Sequence, residues 1–288
     1  MENKIANWSN LKEILKSHNF QFRKSLGQNF LIDKNILRQI VDASSVDANC
    51  AVLEIGAGAG VLTFEMATVA KKVVTVEIDR ALIPILKHNL VDFDNVYIIS
   101  DDILKVDIKR LFEEHFAGLD VRVAANLPYY ITTPIIMKLL ESSISGLKSL
   151  TVMVQKEVAA RICAKPGGKD YGALSIAAQY HTKPSIVTDV SPHCFMPPPN
   201  VGSSVVHLEV LPSKSVAVRD EALFFALVRA AFGQRRKTLV NAIAGSSELQ
   251  IQKEKVQFAL LDMKKRPDVR GETFSVEDFA ELADRLYR

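Results

Sequence analysis

The run Val52-Leu53-Glu54-Ile55-Gly56-Ala57-Gly58-Ala59-Gly60 limits what this chain can become more than any other stretch. A short aliphatic segment ends in three alternating glycines, and a helical pattern begins at Val61. That order reads as a buried strand, a tight turn and a helix start. Glycine suits a backbone that must turn sharply or approach a ligand closely, and the helix start offers unpaired N–H groups to an acceptor. A second strand pattern, Val73 to Val76, runs into Glu77. An acid at that point can accept hydrogen bonds from both hydroxyls of a ribose. The spacing is G-x-G-x-G, with Val61 where a dinucleotide fingerprint would carry its third glycine. A nucleoside ligand without a pyrophosphate, such as S-adenosylmethionine (SAM), fits better than NAD.

Strand and helix patterns then alternate. Strands are expected at Ala51–Ile55, Val73–Glu77, Val96–Ser100, Arg122–Ala125 and Leu150–Gln155, with helices at Lys34–Ala43, Asp79–Asn89 and Pro134–Glu141. This alternation predicts an α/β fold, a Rossmann-like, mostly parallel sheet with right-handed crossovers. Two more strands, Ser185–Val190 and Ser203–Val210, flank Pro197-Pro198-Pro199 and predict an antiparallel hairpin at the sheet edge. After Leu211 the pattern changes. Pro212–Val218 reads as a linker, and helices follow at Glu221–Phe232, Arg236–Ala244, Lys253–Leu261 and Val276–Leu286. Residues 1–211 are therefore expected to form the ligand-binding domain and 212–288 a small all-helical one.

Composition narrows the function class. The net charge is only +3 over 288 residues, so any nucleic-acid surface must come from local clustering. Neither a secretory leader nor an apolar run of spanning length stands out, and Cys50, Cys163 and Cys194 are scattered. A reduced, cytoplasmic protein with neither a disulfide framework nor a metal site is expected.

In a parallel sheet the ligand crevice lies outside the carboxyl ends of the strands. There the chain places Gly56 and Gly58, then Glu77, then Asp101-Asp102, then Asn126-Leu127-Pro128-Tyr129. Asp102 can accept from the amine of a bound adenine or cap the next turn. Glu54 either orients the glycine loop or approaches the donor. An exocyclic base amine is a poor nucleophile, because its lone pair is delocalised. The Asn126 side-chain carbonyl and a backbone carbonyl beside Pro128 can accept its two N–H groups as charge develops. Proline pre-positions those acceptors, and Tyr129 offers a face for stacking the base. Phe195, before the proline run, either stacks the other face or anchors the hairpin. Arg235, Arg236 and Lys237, with Arg23 and Lys24, form candidate phosphate contacts.

These segments, with Gly27-Gln28-Asn29-Phe30-Leu31 and Phe232 to Leu239, together resemble the KsgA-type ribosomal RNA adenine dimethyltransferases. The resemblance runs from about Lys24 to Asn241. It implies that Asn29, Leu31, Gly56, Glu77, Asp102 and Asn126 contact SAM, and that Asn126 to Tyr129 with Phe195 hold the target adenine. It implies N6-dimethylation of two adjacent adenosines in the 3′-terminal hairpin of 16S rRNA, within the small subunit or its precursor. Nothing suggests a membrane partner or an obligate dimer. The Erm-type 23S rRNA methyltransferases share the crevice and the tetrapeptide, and a non-catalytic nucleic-acid-binding role is the alternative of another class.

Overall fold

The structure is a computed structural model that describes residues 3–23, 26–142 and 144–287; Lys24 lies outside the described residues. The chain divides into two compact units.

The first comprises residues 1–159 and 185–210. Its strands are β1 (Phe30–Leu31), β2 (Ala51–Ile55), β3 (Lys72–Glu77), β4 (Val96–Ser100), β5 (Val121–Asn126), β6 (Leu147–Gln155), β7 (Thr182–Val190), β8 (Phe195–Met196) and β9 (Ser203–Val210). Seven of them form one sheet in the order β4-β3-β2-β5-β6-β9-β7. The pairs among β2 to β6 are parallel, and β6 meets β9 antiparallel. The expected sheet and its antiparallel edge are thus both present. All five residues of β2 are buried, as a strand covered on both faces requires. Successive strands step outward one way from β2 through β3 to β4, then the other way from β5 to β6. The strand order therefore reverses between β2 and β5, and ligand crevices form where it does so.

The sequence pattern missed two features of this unit. Strands β1 and β8 make a separate two-stranded ladder, in which Phe30 faces Met196 and Leu31 faces Phe195. Two residues are too few to show a period. Strand β6 also starts at Leu147, three residues before the expected Leu150.

The second unit comprises residues 160–184 and 211–288. Its second stretch begins at Leu211, and its first, residues 160–184, lies within the range 1–211 expected for the ligand-binding domain. Residues 160–184 cluster here too, because Tyr171, Ile176 and Tyr180 share a core with Phe224, Leu227 and Phe279. The helix expected over Arg236–Ala244 begins at Leu239 instead, with Thr238 as its N-cap, its hydroxyl accepting from the Asn241 N–H. Arg235 to Lys237 therefore sit in a turn, where Lys237 N–H donates to the Gln234 carbonyl. The other C-terminal helices are Glu221–Gly233, Lys253–Asp262 and Val276–Leu286.

Candidate active site

A cavity in the first unit opens at the β2/β5 switch point and is lined by the glycine loop, Glu77, the Asn126–Tyr130 segment and residues 26–31. The loop is shaped by Gly56, Gly58 and Gly60, at φ of 75°, 59° and 86°. These left-handed conformations are costly for residues with a Cβ. At Gly58 a Cβ would also lie 3.0 Å from the Phe30 ring. The Phe30 ring thus leaves no room for a side chain at Gly58.

Glu77, the last residue of β3, is 5 % exposed. Its carboxylate accepts from the Gly58 N–H at 2.9 Å and the Asp79 N–H at 2.8 Å. Burial pushes its pKa above the ordinary carboxylate value, and the two N–H donors pull it part of the way back. Glu54 is more deeply placed, at 1 % exposure, and accepts from the Thr63 hydroxyl at 2.5 Å. Desolvation raises its pKa to about 7. Of the two roles open from sequence, this contact supports orientation of the loop, since Thr63 belongs to the helix Val61–Ala67 that follows it. Glu54 also reaches the cavity wall.

Asn126 ends β5 and donates through Nδ2 to the Asn29 carbonyl at 2.9 Å. That fixes the amide and leaves Oδ1 as its acceptor end. Leu127 is buried, and Pro128 follows at φ −61°. The Pro128 carbonyl is taken by the Ile131 N–H and the Thr132 hydroxyl. The half-buried Tyr129 holds its hydroxyl 2.5 Å from Ser203 Oγ. The antiparallel β6–β9 register brings Ser203 there by facing it to Gln155, the last residue of β6.

Residues 26–31 are strapped across the cavity by contacts that the sequence did not reveal. Asp79, 1 % exposed, accepts from Gln28 Nε2 at 2.7 Å and pairs with Arg23 Nη1 at 3.4 Å. Gln28 Oε1 in turn accepts from the Arg23 N–H at 2.7 Å. The ladder between β1 and β8 continues into Ile32, whose N–H donates to the Cys194 carbonyl. A Glu-Ile-Asp run at the end of a strand was the available signal for Asp79. Tyr130 was also missed, although it directly follows the tetrapeptide. It is 55 % exposed and packs beside Gly27. Burial, then the charges of Asp102 and Glu77, raise its phenol pKa.

Of the expected site residues, the cavity gathers Asn29, Leu31, Gly56, Gly58, Glu77 and Asn126 to Tyr129. Asp102 is not on its wall; its carboxylate accepts from the Leu104 N–H, a turn cap. Phe195 is 1 % exposed and belongs to the apolar core, so it anchors the hairpin here. Arg23 is engaged by Asp79. Arg235, in the second unit, donates to the Lys169 carbonyl and pairs with Glu272, whereas Arg236 and Lys237 are exposed.

A family model described as Ribosomal RNA adenine dimethylase matches residues 19–281. Two proteins called Ribosomal RNA small subunit methyltransferase A are similar over nearly the whole chain. That of Alkaliphilus metalliredigens is 51 % identical and that of Alkaliphilus oremlandii 49 %, each over 98 % of both chains. A dimethyladenosine transferase from Plasmodium falciparum superposes with TM-score 0.70 at 27 % identity, covering 87 % of this chain and 94 % of that one. The 23S rRNA methyltransferase ErmE shares the fold, with TM-score 0.67 at 22 % identity over 90 % of this chain and all of that one.

Proposed function

The chain belongs to the ribosomal RNA adenine dimethylase family, and from that membership we propose that it dimethylates N6 of two adjacent adenosines in the 3′-terminal hairpin of 16S rRNA, with SAM as donor. The observation that carries this reading is the fixed amide of Asn126 beside Pro128 and Tyr129, in one cavity with Glu77. The small-subunit target rests on relatives of about half identity that bear a small-subunit name along their whole length. The protein is taken to act in the cytoplasm as a monomer; among the described residues no helix is long and apolar enough to cross a membrane.

The residues fit the donor. Glu77 offers carboxylate oxygens to ribose hydroxyls. The glycine loop offers close backbone approach, and Leu31 and Leu127 supply apolar wall. Bound SAM supplies an electrophilic methyl on a sulfonium. The chain's own groups do the rest. Asn126 Oδ1 and the Leu127 carbonyl accept the two N–H groups of the adenine amine, localising its lone pair and stabilising the charge that grows on nitrogen. With the Pro128 carbonyl already occupied, Leu127 provides the backbone acceptor. Tyr129, held at its hydroxyl by Ser203, presents a ring of fixed orientation to the base. These contacts would align the amine nitrogen with the methyl of the bound donor, whose sulfur would depart as a thioether with the S–C bonding pair, and the proton lost from the amine would pass to solvent.

The deciding experiment incubates the protein with methyl-labelled SAM and with undermodified small or large ribosomal subunits, then maps the label. Two adjacent N6-dimethyladenosines in the small subunit are expected. Label on large-subunit RNA alone, or none, would overturn the reading.

A further inference from the structure

Three loops of the second unit are tied together by backbone and side-chain bonds. The Gly167 N–H donates to the Glu272 carbonyl at 2.7 Å, and the Leu239 N–H donates to the Val269 carbonyl at 2.7 Å. Arg235 Nη2 donates to the Lys169 carbonyl at 3.0 Å and lies 3.5 Å from the Glu272 carboxylate. The loop Lys165-Pro166-Gly167-Gly168-Lys169 is itself folded on a turn, with the Gly168 N–H on the Lys165 carbonyl. Its far end is pinned by Tyr171, fully buried and 5.9 Å from the Phe232 ring.

This junction holds Lys165, Lys169, Arg236, Lys237 and Arg270 exposed, and among the described residues none of their side chains forms an ion pair. Of the nearby acids, Glu272 is paired with Arg235 and Asp268 with Arg266, which leaves the half-buried Asp170 as the one unpaired carboxylate beside these five cations among the described residues. A set of unpaired cations on loops fixed in advance suits a row of phosphates, since little ordering entropy is lost on contact. We propose that the Lys165–Lys169 loop is part of the rRNA phosphate-binding surface, contiguous with Arg236 and Lys237, and that Arg235 is a positioning residue that holds this loop in place. The inference rests on the rRNA substrate proposed above. It takes Arg235 out of the phosphate contacts and adds two lysines that lie far from it in sequence.

The test measures binding of a fluorescent RNA hairpin with two adjacent loop adenosines, by anisotropy, between about 50 and 200 mM salt. Replacing both lysines (Lys165→Gln, Lys169→Gln) should weaken binding roughly tenfold and reduce the slope of log affinity against log salt by about 1 to 2 units, with the melting temperature unchanged. An unaltered slope would remove the loop from the interface. Arg235→Lys keeps a charge but cannot span the Lys169 carbonyl and the Glu272 carboxylate together. It should therefore bind RNA as weakly as Arg235→Gln; full rescue by lysine would make Arg235 a phosphate contact instead. Wild-type protein that methylates small-subunit RNA while the loop variants bind normally would sink this inference alone. Wild-type protein that neither binds nor methylates RNA would sink the functional reading as well.

Discussion

Gln28 and Asp79, 51 positions apart in the chain, meet at 2.7 Å, and their bond ties the segment over the cavity to the end of the strand that carries Glu77. A hydrogen bond to a charged acceptor contributes about 1.5 to 3 kcal/mol, more than a neutral one. Asp79→Ala should therefore weaken SAM binding about tenfold or more. Gln28→Ala should do the same, and the double variant should fall well short of the sum of the two. Calorimetric titration with SAM checks both; strictly additive losses would show that the two residues act separately.

Asn126→Ala should keep the fold and lose methyl transfer by on the order of a hundredfold or more, as for removal of one aligned polar group. The Asn29 carbonyl also loses its donor, so a modest loss of SAM affinity accompanies the effect. A tritiated-methyl assay at saturating donor separates the two contributions.

Glu77→Ala should abolish measurable SAM binding, because both of the ribose contacts proposed for it would go. It also frees the Gly58 and Asp79 N–H groups. Glu77→Gln, which keeps the shape and one acceptor oxygen, should bind more weakly than wild type but better than alanine. Equal affinity for all three proteins would refute the cofactor assignment.

Glu54 makes stability depend on pH. Its pKa is about 7 in the folded protein, against an ordinary value of 4.5. Below 4.5 both states hold the proton and its contribution is fully present. As pH rises from 4.5 to 7 the unfolded chain releases the proton first, so this stability is lost, about 3 kcal/mol in all. Glu54→Gln should remove that slope and stabilise the protein above pH 7, read from urea midpoints across the range. Parallel pH curves for variant and wild type would contradict the assignment.

How much of this was legible beforehand differed from place to place. The β2 run with its glycines, Glu77 and the Asn126 tetrapeptide announced themselves, because each is a contiguous pattern whose spacing has a local physical cause. Asp79 and Tyr130 did not, since their roles depend on Gln28 and Gly27, some fifty and a hundred residues earlier in the chain. Nothing in the sequence joins Lys165 and Lys169 to the basic run some seventy positions later; the bond from Arg235 to that loop does. The side chain of Phe195 had two roles open to it, and it lies buried against the core, where the anchoring role places it. The helix expected at Arg236 starts late because Thr238 can cap it, whereas a basic run carries no signal of where the first turn closes.

The two-rung ladder between Phe30–Leu31 and Phe195–Met196 acts as a gauge of chain length. Adding or deleting one residue in the proline run would slide those rungs by a single step and turn each side chain to the opposite face. Phe195 would then turn out of the apolar core that it shares with Phe30 and Leu31, both on the cavity wall, so an alteration remote from the chemistry would still loosen it.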